Sequence, residues 1–291
     1  MKDINQNQKV LLTGAECFLG GAIVRKLAAQ NVPVKVLTRN LVGNHKIPKS
    51  NGIVVEKMSD QSNLLVKHLE GINTVISTLS LVREKRRVFD ICSDYQANIQ
   101  LLQEMKKAGI RKFIYVEAPY SYLHKNQRII EEKNYFLLKL KESKIDYTII
   151  STNGTFCNFN SFLIMANKGR IYLFGKGNEK FNPIDIKDLA GACIDAITIK
   201  HNHLCIGGPE ILTIKEIANI AFDAYGKHPK IIHIPFCLKK IILWVVHKFN
   251  TKNNLPCLNY MENQVLGIKY GNLRLSSFFK EQAKVVSPFS T

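Results

Sequence analysis

The chain has 291 residues, 46% hydrophobic and 22% charged, with 9 prolines. That is enough apolar material for a large core and argues against a disordered chain. The net charge of +18 invites a nucleic-acid reading, but 24 Lys/Arg face 14 Asp/Glu up to residue 150 and 17 face 9 after it, so the excess is spread out, with no basic arm.

Seven cysteines are scattered, with no C-x-x-C pair and no cysteine–histidine cluster at zinc spacing, so no metal site is expected. Scattered, odd-numbered thiols suit a reducing compartment. The start, MKDINQNQKV, lacks an apolar signal core, and no uncharged run reaches spanning length. A cytoplasmic location is expected, with no nucleic-acid partner.

From the amino terminus, VLLTGAECFLGGAIV at 10–24 reads as a strand, a tight turn and a helix running to Gln30. Further strands are predicted at Val34–Thr38, Ile53–Glu56, Thr74–Thr78, Phe113–Glu117 and Tyr147–Ile150, with helices at Ser93–Ala108 and Ile129–Ser143. Gly71 and Gly109 fall just after helical segments, where a left-handed cap is wanted. This alternation implies a parallel sheet with right-handed crossovers, an α/β, Rossmann-type, doubly wound fold. Residues 1–156 are assigned to that dinucleotide-binding domain and 157–291 to a smaller C-terminal α/β lobe expected to cover the carboxyl edge of the sheet. Within the lobe, Asp185 caps an apolar-periodic run to Ile199, and His203–Ile206 reads as a strand. Thr213 and Glu216 form a capping box whose helix ends at Gly226.

The turn after the first strand aims N–H groups and a helix N-terminus at a pyrophosphate. Gly14 permits the bend and Gly20 lets the helix pack close, but Cys17 stands where glycine normally lets backbone meet phosphate. A compact thiol is expected to weaken the site without abolishing it. Strand two ends in Thr38-Arg39, with no acid on that strand for a ribose 2′-hydroxyl. A guanidinium pairs with a 2′-phosphate, so NADP(H) is favoured over NAD(H).

The stretches VLLTGAECFLG, VISTL at 75–79, DYQANIQLL at 94–102, RKFIYV at 111–116 and SKIDYTII at 143–150 resemble atypical short-chain dehydrogenase/reductases of the NAD(P)-binding, NmrA-like type. So do 168–190, 206–227 and YGNLRLSSFF at 270–279. The chain is more distantly similar to divinyl chlorophyllide vinyl-reductases. The resemblance implies that Gly14, Cys17, Phe18, Leu19 and Gly20 stand at the phosphate turn and Arg39 at the 2′-phosphate. It puts Asp60 near the adenine and Ser77, Thr78 and Leu79 beside the nicotinamide ribose. Lys133 matches the family's usual lysine, the candidate polariser or proton relay.

The chain departs from the family at Glu117, where serine is usual, and at Ser151-Thr152, where Arg-Pro is usual. Ile129 stands four residues before Lys133, where an ordinary short-chain dehydrogenase sets its proton-transferring tyrosine. Tyr135 and Lys139 make a Y-x-x-x-K spacing too late on the helix, read as coincidence. Tyr120, Tyr122 and His124 are read as loop residues, and Arg83, Lys85, Arg86 and Arg87 as a solvated run. Residues 236–249, apolar with basic punctuation, suit a packed helix better than a membrane interface. Two functions stay open: an NADPH-dependent oxidoreductase on a small apolar substrate, or a non-catalytic NADP(H) sensor or scaffold for a protein partner. A monomer or homodimer serves either.

Overall fold

A computed structural model describes residues 8–38, 47, 52–57, 67–79, 88–117, 126–235, 237 and 266–286. The chain divides into two compact units, one of Met1–Ser151 with Leu189–Leu204 and one of Thr152–Asp188 with Cys205–Thr291.

In the first unit the elements are β1 (Val10–Thr13), α1 (Phe18–Ala29), β2 (Val34–Thr38), β3 (Ile53–Lys57), β4 (Thr74–Ser77), α2 (Val88–Lys107), β5 (Lys112–Val116), α3 (Gln127–Glu142) and β6 (Asp146–Ser151). The strands of this unit's parallel sheet run in the order β6-β5-β4-β1-β2-β3; β9 (His203–Gly207) pairs in parallel with β12 (Ile268–Lys269) through Ile206 and Gly207. The unit has the doubly wound, Rossmann-type α/β fold expected. Strand β1 lies parallel between β2 (Val10↔Val34) and β4 (Val10↔Thr74). The order reverses there, so the crevice for a ligand opens at the carboxyl ends of β1 and β4. Both strands are buried along their whole length, as parallel strands with covered faces must be, with Thr13, Thr74 and Ser77 as buried polar residues at their ends.

The helices are held by an aromatic-rich core. Phe136 of α3 packs edge-on against Tyr115 at 4.8 Å between ring centroids, with Tyr95 of α2 at 6.2 Å. Fully burying such a side chain contributes about 1.5–3 kcal/mol. Gly71 and Gly109 adopt the left-handed backbone predicted for them, with φ of 71° and 70°. Lys112, at the start of β5, explains how Leu189–Leu204 is held in this unit. Its Nζ donates to Ile199 O at 2.7 Å and to Thr148 Oγ1 at 3.0 Å, and lies 3.3 Å from Asp146. Burial pushes its pKa down.

The second unit holds α4 (Asn160–Asn167), β7 (Ile171–Phe174), β8 (Lys180–Phe181), β10 (Leu212–Thr213), α6 (Ile214–Asp223), β11 (Ile231–Ile234) and α7 (Leu275–Val286); α5 (Ile186–Asp195) begins in it. Phe159, Phe162, Phe181, Phe222 and Phe279 centre its core. Asp188 accepts hydrogen bonds from Asn272 N and Leu273 N, both at 3.0 Å, so two of the stretches quoted above for the resemblance meet. Asp185 caps α5 through Lys187 N at 2.7 Å, but the helix ends at Asp195, short of the predicted Ile199. Among the described residues no helix is long and apolar enough to cross a membrane, and no group of three or more His, Cys, Asp or Glu could hold a metal ion.

Candidate nucleotide site

The turn after β1 is built around Gly14. Its φ is +83°, and a Cβ there would lie 2.5 Å from Thr78 Oγ1 and 2.9 Å from the Thr78 carbonyl carbon. Only glycine meets both conditions. At Gly20 a Cβ would reach 2.3 Å from Gly14 O, so the helix could not sit this close to the turn with any side chain there. Thr78, just past β4, closes the crevice from the other side. Its N donates to Thr13 O at 3.0 Å, and its hydroxyl lies 3.0 Å from both Thr13 O and Gly14 O.

Cys17 takes a role its position alone does not reveal. It is the N-cap of α1, in extended backbone, and its Sγ accepts from Gly20 N at 3.1 Å while the thiol donates to Thr78 Oγ1 at 3.4 Å. One of the amides that a helix N-terminus offers to an anion is therefore satisfied within the protein. Phe18 follows at 67% exposure, while Leu19 is buried.

Strand β4 ends in Ser77, whose hydroxyl donates to Asn98 Oδ1 of α2 at 2.6 Å; Leu79 N lies 3.5 Å from Ser77 Oγ. Asn98 Nδ2 and Thr13 Oγ1 are buried without hydrogen-bond partners among the described residues. Two orphaned buried polar atoms, one at the end of β1 and one beside β4, fit a polar ligand at this edge.

Lys133 lies on α3 with its Nζ in an ion pair with Glu117, which follows β5. Both residues are 3% exposed. Glu117 is held by its own N–H donating to Ile150 O at 2.8 Å. Burial pushes the nearby Tyr95 hydroxyl pKa up, Tyr115 opposes it by hydrogen bonding, and the Glu117 charge adds to the rise. Ile129 is buried one turn before Lys133. Tyr135 is exposed, and Lys139 stands 5.4 Å from its ring centroid and 3.0 Å from Glu142, so this pair decorates the solvent face. Ser151 Oγ lies 3.1 Å from His203 Nε2.

The structure therefore gathers Gly14, Cys17, Gly20 and Thr78 at one turn, with Ser77 beside them, and sets Lys133 against Glu117. Arg39, Asp60, Tyr120, Tyr122, His124, the basic run at 83–87 and all of 236–249 except Cys237 lie outside the described residues. Two residues escaped the sequence reading. Asn98 sits inside the quoted stretch DYQANIQLL, where a buried polar residue on an apolar helix face was the available signal. Glu16 is the other: Thr38 Oγ1, at the end of β2, donates to Glu16 Oε1. An acid does reach the end of strand two, from the turn.

A family profile described as NAD(P)H-binding matches residues 14–199. The chain belongs to this NAD(P)H-binding family. Among its relatives is the mitochondrial "NADH dehydrogenase [ubiquinone] 1 alpha subcomplex subunit 9" of Arabidopsis thaliana, 26% identical over 243 residues, covering 78% of this chain and 60% of that protein. The "Photosystem II assembly factor Ycf39" of Trieres chinensis is 20% identical, covering 84% and 78%. The chloroplastic "Divinyl chlorophyllide a 8-vinyl-reductase" of Oryza sativa subsp. indica is 26% identical, covering 81% and 64%. The chain thus spans about three fifths of the first and just under two thirds of the last. Solved structures share the fold of this family member: AtPrR2 with NADP+ and (+)pinoresinol (TM-score 0.70, 16% identity, 96% and 99% covered) and WbmH of Bordetella bronchiseptica with NAD+ (0.66, 13%, 98% and 100%).

Proposed function

We propose that this chain holds a nicotinamide dinucleotide at the β1–α1 turn and acts as a nucleotide-binding structural or assembly subunit, without turning a substrate over. The observation that carries this reading is the Glu117–Lys133 ion pair. The lysine that would polarise a substrate or relay a proton is paired to a carboxylate, and both groups are buried. Serine and tyrosine, which would complete proton transfer, are replaced by Glu117 and Ile129, so the group that usually donates or accepts the proton is missing. The names of two relatives, a respiratory-complex subunit and a photosystem assembly factor, support the same reading.

Gly14 and the start of α1 would hold the pyrophosphate. Ser77, Thr78 and Asn98 would line the nicotinamide ribose. When bound, the nicotinamide can supply hydride chemistry. A second reading, an NADPH-dependent oxidoreductase on a small apolar substrate, is favoured by the reductase relative and by the unpartnered Asn98 Nδ2 at the reacting end. Which of NAD(H) and NADP(H) is held turns on the charges at the end of β2, where Arg39 follows Thr38 directly in sequence.

The test is to denature the purified protein, identify any nucleotide released, and reload the apoprotein with reduced nucleotide. Stoichiometric binding, with reduced-nicotinamide absorbance that persists on adding quinone and enone acceptors, is expected. Acceptor-dependent oxidation over repeated turnovers would establish the reductase instead.

A further inference from the structure

An open α/β sheet reads the adenosine ribose at the carboxyl end of its second strand. A carboxylate there accepts from the 2′-hydroxyl of NAD(H), whereas a cation there pairs with the 2′-phosphate of NADP(H). Here β2 ends at Thr38, which is buried, and its hydroxyl donates to Glu16 Oε1. Strands β1 and β2 run parallel with Thr13 beside Leu37, so the turn that leaves β1 passes the end of β2. Glu16 is half-buried, and among the described residues its second carboxylate oxygen takes no hydrogen bond.

We infer that Glu16 is the residue that reads the ribose 2′-position and that it selects NAD(H) over NADP(H). This rests on the chain holding a dinucleotide at this turn, as proposed above. Thr38 is the positioning residue: its hydroxyl tethers one carboxylate oxygen and leaves the other to accept from a ribose hydroxyl, a charge-assisted bond. A 2′-phosphate brings close to two negative charges to the same place. Arg39 follows Thr38 in sequence and supplies one positive charge. The tethered carboxylate offsets one of the positive charges brought to the end of β2 by Arg39, next in sequence, and by Lys57, which pairs beside Thr38 on β3, so a dianion gains less there than at a site without the acid.

Calorimetric titration of the full chain with NADH and with NADPH tests this, on the wild type and on Glu16→Gln and Thr38→Val. The wild type is expected to bind NADH about tenfold or more tighter than NADPH, about 1.4 kcal/mol per tenfold. Glu16→Gln removes the charge at nearly constant shape. It is expected to tighten NADPH roughly tenfold and to weaken NADH by a smaller factor. Thr38→Val releases the carboxylate and should shrink the NADH/NADPH ratio, a readout that a purely structural role for Thr38 would leave unmoved. Tighter NADPH binding by the wild type, or a ratio unchanged in Glu16→Gln, overturns the inference while leaving nucleotide binding intact. Failure of the wild type to bind either nucleotide overturns the binding reading itself, and the inference with it.

Discussion

At Cys17 a single thiol does what two groups usually share. As an N-cap it satisfies Gly20 N, and through its own proton it ties the turn to Thr78. Cys17→Gly frees that amide for an anion and is expected to tighten nucleotide binding severalfold. It should cost the apoprotein only a few tenths of a kcal/mol, as glycine at an N-cap does. Cys17→Ser keeps a capping oxygen and should bind as the wild type does; equal affinity in both variants would show that the cap does not compete with the pyrophosphate. The Glu117–Lys133 pair makes a sharper claim. Lys133→Met leaves a buried carboxylate without its partner and is expected to cost about 3–5 kcal/mol, whereas Glu117→Leu with Lys133→Met should recover most of it. Denaturant unfolding of the wild type, both single variants and the double variant measures the coupling. A cost below about 1 kcal/mol for either single variant would mark a pair wet enough to break, and the lysine would then be available to a substrate.

Among the elements, α6 carries the clearest local signal. Thr213 Oγ1 accepts from Glu216 N at 3.2 Å, and the Glu216 carboxylate accepts from Thr213 N at 2.7 Å. The Thr213 amide and hydroxyl hold the Glu216 carboxyl below its usual range. Because its folded value is depressed, the stabilisation is present at neutral pH and is lost as pH falls through that value. Thr213→Ala should cost about 1 kcal/mol at pH 7, and the gap to wild type should narrow in melts at acid pH, where the Glu216 carboxylate is protonated. The box was legible because both partners lie three residues apart. The strands were legible because buried parallel strands are continuous apolar runs. What the sequence could not show depends on packing between distant segments. Glu117 and Lys133 are brought together only when α3 docks on the sheet beside β5. Glu16 is not legible as an acid at the end of β2, because it lies outside that strand and the fold delivers it from the neighbouring turn. Ends of helices shifted for the same reason: α5 stops at Asp195, four residues before its apolar pattern does.

For the whole molecule the net charge of +18 is the dominant long-range term. It is spread over both halves of the chain, and its first effect is self-repulsion of the compact state. The screening length falls from about 30 Å at 0.01 M salt to about 8 Å at 0.15 M. Sodium chloride is therefore expected to raise the melting temperature steeply over that range and little beyond it, each kcal/mol being worth roughly 2–4 °C in a chain of this size. Acidification should work the other way, since added protons raise a charge that is already positive. Melts in chloride, sulfate and phosphate at matched ionic strength separate screening from site binding. If screening alone acts, the three salts give one curve. If sulfate and phosphate stabilise further at millimolar concentrations, and Cys17→Gly enlarges that gap, the extra stability comes from anions at the amino terminus of α1. A gap that the variant leaves unchanged assigns those anions to the surface charge instead.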